Sequence, residues 1–267
     1  FSRFEGPITL RVTGDAPPTL GPDLAQLLHR LRTEAGIDIS RVTAPEANIT
    51  LVGVPRAEIR RNLPQAACFV VPNASSLPEY LRARRSPAVS WSSVRERQRV
   101  AVFLPADAAP QELRDCLHEE IAQALGPLND LYRLPDSIFN DDNVHTVLTG
   151  YDMTVLRAFY DPALRSGLSR AEVAARLPAV LSRVNPGGAN LPARHLPETS
   201  RDWIAAIQAA LGPGATAGER QAAAARALRI AQRAGWRDHR LGFSHYAMGR
   251  MLQGTDTEAA RAEFLRA

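Results

Sequence analysis

The chain contains no lysine: all 32 of its basic residues are arginine. Together with the alanine-rich stretches, that bias points to a genome of high G+C content rather than to an activity. Long apolar runs are missing as well. Nothing approaches the roughly 18 consecutive apolar residues of a membrane-crossing helix, so the chain as given is not expected to cross a membrane on a helix. Charge of one sign is scarce. A net charge of +4 over 267 residues is too little to indicate a nucleic-acid partner, which calls for a basic stripe and a recognisable module. The one basic cluster, residues 82–99 with Arg84, Arg85, Arg95 and Arg97, reads as a solvated loop or edge strand. Cysteine is limited to Cys68 and Cys116, one in a predicted strand and one in a predicted helix. A disulfide would fit an oxidising compartment and two buried thiols the cytosol, and the count leaves both open. The first residue is Phe1 rather than methionine, so any signal peptide or lipid anchor is expected in a removed segment.

What is present is the composition of a soluble globular protein, 45% hydrophobic and 22% charged, at a length that suits two modest domains. Alternation over residues 7–12 predicts a strand. Pro22 and Asp23 then open a helix with Leu24, Leu27, Leu28 and Leu31 on one stripe, stopped at Gly36. Further strands are predicted at 48–54, 68–71 and 99–104. Pro105, Asp107 and Pro110 introduce a helix to about Leu125, closed by Gly126. The order β-α-β-β-β-α predicts an α+β fold with a mixed sheet packed on helices. After residue 150 the pattern is almost wholly helical, with a Pro/Gly/Asn-rich break at 185–197 taken as the linker between a domain at 1–190 and another at 197–267. Helices at about 200–211, 218–234, 239–252 and 256–266 form two antiparallel pairs. From Gly242-Phe243 through Tyr246-Ala247, Gly249 and Ala259-Ala260 to Phe264 they resemble a tetratricopeptide repeat.

The stretch from Cys116 to Asp130 holds the residues that could carry chemistry. His118-Glu119 opens like His-Glu-x-x-His, but the second histidine position is Ala122. At about 100° per residue, Leu113, Leu117, Ile121 and Ala124 share one stripe, and Glu120 falls inside it beside Cys116. Glu120 is therefore expected to face inward. Glu119 and Gln123, four apart, project together on the flank, while His118, nearly opposite Glu120, is expected at the surface with Ala122.

Read from Glu119, the chain carries Glu119-Glu120-x-x-Gln123-x-Leu125-Gly126-x-x-Asn129-Asp130. This resembles the metzincin motif His-Glu-x-x-His-x-Leu-Gly-x-x-His-Asp. In that zincin family the three histidines bind zinc, the glutamate is general base, and the glycine lets the chain turn back to deliver the third ligand. The resemblance implies that Glu119, Gln123 and Asn129 stand at the ligand positions, with Glu120, Leu125, Gly126 and Asp130 matching directly. Downstream, Ser137-Ile138-Phe139 resembles the Ser-Ile-Met turn beneath the metal, with Phe139 in place of methionine. Leu148-Thr149, Asp152, Leu156, Phe159 and Tyr160 resemble the C-terminal helix of matrix-type metzincins. The combination is also similar to a proteobacterial family of unknown function, typically exported or lipid-anchored, from which this chain departs at Phe159. That likeness implies the periplasm or cell envelope of a Gram-negative bacterium, with a membrane tether through a removed N-terminal segment.

One carboxylate and two amide oxygens make a poor zinc set, so no metal or other cofactor is expected. An oxygen-ligated calcium or magnesium ion would need help from Asp130, Asp136, Asp141 and Asp142. Gln123 and Asn129 are instead expected to hydrogen-bond Glu119 and Glu120. The expected function is non-catalytic binding or scaffolding on a zincin-like fold, a pseudoenzyme whose protein or peptide partner adds to the strand at 99–104 or docks on the helical repeat. The alternative is a metallohydrolase with an unusual oxygen-ligated metal and Glu120 as general base. A purely structural envelope component, working through its C-terminal helices, is a third reading.

Overall fold

The computed structural model describes residues 1–63, 66–140, 145–192, 196–212 and 214–267. The chain divides into two compact units. One comprises Phe1–Asn129, Asp136–Phe139 and Asn143–Ala193, the other Asp130–Pro135, Asn140–Asp142 and Arg194–Ala267. The architecture is α+β, as the element order predicts.

The first unit is built on a five-stranded sheet. Strand β1 (Ile8–Gly14) leads through α1 (Leu20–Glu34) to β2 (Ile39–Arg41) and β3 (Ile49–Val54). Then come α2 (Arg56–Asn62), β4 (Phe69–Pro72), α3 (Leu77–Ala83), β5 (Val100–Pro105) and α4 (Pro110–Leu125), and α5 (Gly150–Phe159) and α6 (Arg170–Val184) follow. The strand order is β2-β1-β3-β5-β4; the first four are parallel and β4 runs antiparallel to β5. The expected order lacks β2, α2 and α3, which are 3, 7 and 7 residues long and too short to carry a hydrophobic period.

Ile8, Leu10, Ile49, Leu51, Val100, Val102 and Leu104 point to one face of the sheet. There they form a core with the leucines of α1, with Leu113, Leu117 and Ile121 of α4, and with Ile138, Phe139, Met153 and Leu156. Val52, Val54, Ala101 and Phe103 point to the other face, closed by Ile59 of α2 and Leu77 of α3. Strand β5 is buried at every position and pairs with β3 on one side and β4 on the other. That overturns the expectation that residues 99–104 form the edge: the edges are β2 and β4. An unbroken apolar run such as Val100–Leu104 marks a strand covered on both faces, and position in the chain just before the motif helix does not determine position in the sheet.

In the second unit, α7 (Arg201–Leu211), α8 (Ala217–Arg233), α9 (His239–Leu252) and α10 (Thr257–Phe264) lie within a few residues of their expected bounds. Each starts at a residue whose side chain accepts a backbone N–H from the first turn: Ser200, Thr216, Asp238 and Asp256. Short connections make neighbours antiparallel. Their core is Trp203 set among Ala206, Ile207, Ala210, Ala224, Ala227, Ala231 and Ala247. The buried indole N–H is satisfied by Ser244 Oγ at 2.8 Å. A Cβ on Gly249 would sit 2.7 Å from the Phe264 ring, so only glycine lets α10 close this tightly on α9.

Candidate functional site

Helix α4 begins at Pro110, whose missing N–H has no partner to lose in a first turn. It contacts β4 and β5 on one side and α1 on another. Glu120 lies inside the apolar stripe, buried as expected, but His118 and Ala122 are buried too, at 4% and 0% exposure. The surface expectation for both fails because α4 is covered on more than one side. His118 Nδ1 accepts the N–H of Leu148, just ahead of α5, at 3.1 Å. Burial, reinforced by the charge of Arg30, lowers the His118 pKa to about 4, which keeps the ring neutral and an acceptor.

Glu119 and Gln123 sit half-buried on the flank of the stripe, and the Gln123 amide donates to Glu119 Oε1 at 3.3 Å. Asn129, expected from the resemblance at the third ligand position, is exposed and makes no hydrogen bond among the described residues. The structure therefore joins two of the three positions and leaves the third apart, and the expected bonds from Asn129 to the glutamates are not formed. Asp130 and Asp136 are exposed, while Asp141 and Asp142 lie outside the described residues. Among the described residues no group of three or more His, Cys, Asp or Glu is placed to hold a metal ion. Further back on α4, Glu112 is held by Arg56 at 2.5 and 2.7 Å. Burial, with the nearby charge of Glu112, raises the Asp115 pKa to about 6.

Cys68 and Cys116 are joined in a disulfide with a Cα separation of 5.9 Å. The bond ties α4 to the residue immediately ahead of β4. Cys116, Glu119 and Gln123 fall within about 60° of one another on the helix, so the disulfide turns the Glu119–Gln123 stripe toward β4. Strand β4 is hydrogen-bonded to β5, and among the described residues no strand pairs with its other side. The Asn73 N–H donates to the Arg99 carbonyl at 2.7 Å. Antiparallel alternation then directs Phe69 and Val71 to β5 and leaves the N–H and C=O of Val70 on the side away from it, while toward the buried Pro72 the turn at Pro87–Val89 lies against the strand.

Behind this stripe the three motif segments interlock. Gly126 has φ 178°, an extended conformation open to any residue, so its requirement is space: a Cβ would lie 2.4 Å from the ring of Phe159. Tyr160 donates from its hydroxyl to the Leu125 carbonyl at 2.9 Å. In the turn, Ser137 Oγ donates to Asp152 Oδ1 at 2.6 Å, and Oδ2 accepts the N–H of Ile138 at 3.1 Å and of Thr149 at 2.8 Å. The buried Phe139 donates its N–H to Ser137 Oγ at 3.0 Å. One carboxylate thus holds both the turn and the start of α5.

Arg97 completes the set, and the reading of residues 82–99 as solvent-facing does not hold for it. It is 3% exposed, donates to the carbonyls of Gln123, Ala124 and Gly126 at 2.5, 2.7 and 2.7 Å, and stacks 4.6 Å over Trp91. Burial lowers its pKa to about 10, which still leaves it charged. A helix end leaves carbonyls without intrahelical donors, and here a distant arginine serves them. No local signal identifies such a residue; it is recognisable once the fold brings it to α4.

No curated protein and no solved structure matches the chain. Residues 1–179, which include every segment of this site, match the family described as Protein of unknown function (DUF2927), and the chain belongs to that family.

Proposed function

We propose that this chain is a non-catalytic binding protein on a degenerate zincin-like scaffold, taking an extended peptide along the open side of β4. The observation that carries the reading is the position of β4: an antiparallel edge strand bonded on one side and locked by Cys68–Cys116 to the helix bearing Glu119 and Gln123. Main-chain bonding to a sheet edge gives affinity, and side chains beside it give selectivity. The zincin-like likeness is supported by the interlocking of the Glu120–Gly126 helix end, the Ser137 turn and α5 through Asp152 and Phe159. The loss of catalysis is supported by glutamate, glutamine and asparagine at the three ligand positions, which suit zinc poorly. The disulfide fits an oxidising compartment, in keeping with an exported envelope protein of a Gram-negative bacterium, tethered through a segment outside this sequence.

The test is selection of binding peptides from a display library on the intact chain, followed by calorimetry with Val70→Pro. Residue 70 does not bond to β5, so proline there removes the outward N–H and spares the ladder. Affinity should fall about tenfold, the worth of one well-formed bond, and methylating a single peptide nitrogen should do the same. Peptides indifferent to both changes would defeat the edge-strand reading. A stoichiometric metal by elemental mass spectrometry, with a hydrolase activity abolished by Glu120→Gln, would replace it with the metallohydrolase alternative.

A further inference from the structure

We infer that the outer face of α8 binds the anionic headgroups of a lipid bilayer. Residues 1–193 hold 21 arginines and 21 acidic residues, whereas residues 194–267 hold 11 arginines against 7, so the whole net charge of +4 falls in the C-terminal stretch. The helix concentrates it. At about 100° per residue, Arg226, Arg229 and Arg233 fall within about 60° of one another, nearly opposite the buried Ala224, Ala227 and Ala231. All three are exposed, as is Arg237 beyond the helix end.

Little neutralises this face. Glu219 is engaged at the start of the helix by Thr216, and Asp202 approaches Arg226 at 3.6 Å from a side chain that is 80% exposed. Among the described residues Arg229, Arg233 and Arg237 make no ion pair and no hydrogen bond. Ala222, which falls on the same stripe, is the small exposed neighbour of these arginines, so a flat surface can approach closely and meet several guanidinium groups at once. Arg226 to Arg233 spans about 10 Å along the axis, and guanidinium presents the donor fork that phosphate oxygens accept. A folded protein partner would need an aromatic or aliphatic anchor at the centre of the patch, and this face offers none. A bilayer needs no anchor, because its attraction accumulates cation by cation.

The experiment is sedimentation of the full chain with vesicles of phosphatidylglycerol and phosphatidylcholine, against phosphatidylcholine alone, at low and high salt. Binding is expected to the anionic vesicles and to disappear at high salt. At about fivefold per arginine, the triple variant Arg226→Gln/Arg229→Gln/Arg233→Gln should lose roughly a hundredfold in partitioning, and the corresponding triple lysine variant should keep it. Arg60→Gln/Arg61→Gln/Arg84→Gln removes the same charge from exposed positions elsewhere and should change binding by a few-fold at most. No binding to anionic vesicles at low salt would overturn the proposal, as would equal losses from the two glutamine variants. Equal affinity for poly-glutamate, with the same arginine dependence, would overturn it in favour of an acidic polypeptide.

Discussion

Acid should destabilise the first unit through His118. In the fold its pKa is about 4, against an ordinary 6.5. Between those values the unfolded chain takes up a proton that the native ring refuses, so stability falls as pH drops through 6.5 and levels off below 4. At about pH 4.5 the loss relative to about pH 7.5 comes to roughly 2.5 kcal/mol, at 1.36 kcal/mol per pKa unit. Because the ring is 4% exposed, little of this is screened by solvent. Asp115, raised to about 6 by burial, works in the opposite direction, its native carboxyl holding a proton that the unfolded chain releases. Comparing the parent with His118→Asn cancels that contribution, and the asparagine oxygen can still accept the Leu148 N–H. The readout is urea unfolding followed by fluorine NMR of 5-fluorotryptophan-labelled protein, using the Trp91 resonance, which belongs to this unit. The parent should lose about 2.5 kcal/mol more than His118→Asn between the two pH values. Equal losses would refute the claim that a neutral buried His118 holds the start of α5.

Gly126→Ala should cost about 1 to 3 kcal/mol by overpacking against the Phe159 ring, and Phe159→Leu in the same chain should recover part of it, a coupling read from a double-mutant cycle of urea midpoints. Independent, additive effects would show that the space at Gly126 is not set by that ring. The disulfide closes a loop of sequence separation 48, for which chain entropy gives about 4 kcal/mol of stabilisation. Cys68→Ser/Cys116→Ser should therefore lower the urea midpoint of the Trp91 signal substantially, and an unchanged midpoint would mean the bond does not constrain this unit.

Elements long enough to repeat their period, or carrying their own caps, were legible from the chain. Helix α4 has Pro110 at its start and Gly126 at its end, and α8 has Thr216 followed by Glu219 in a reciprocal cap. The short β2 and α2 have neither property, and α3, although Ser76 caps its start, is too short to repeat a period; the sheet and its second face provide the partners for all three. The inward position of Glu120 follows from one apolar stripe, but the same argument misplaces His118, because the number of sides on which a helix is covered is a property of the assembled fold. Arg97 and β4 illustrate the same limit. An arginine serving a helix end 26 residues away resembles any other member of a charge run, and the order of strands in a sheet is not their order in the chain.

Gly126, Ser137, Asp152 and Tyr160 bond or pack with neighbouring side chains and with backbone, not with the side chains of Glu119, Gln123 or Asn129. Such a frame should tolerate exchange at residues 119, 123 and 129. The triple variant Glu119→His/Gln123→His/Asn129→His should fold with a stability within about 1 kcal/mol of the parent, since two of the positions are half-buried and the third is exposed. It should nevertheless bind zinc weakly. Residues 119 and 123 converge, but residue 129 is exposed and stands apart, so the site offers two imidazoles where a zinc centre needs three or four protein ligands. Calorimetric titration would decide: tight, stoichiometric zinc binding would show that residue 129 swings back over α4 once given a metal to reach, and that the path of the chain after Gly126 does not by itself prevent a three-imidazole centre.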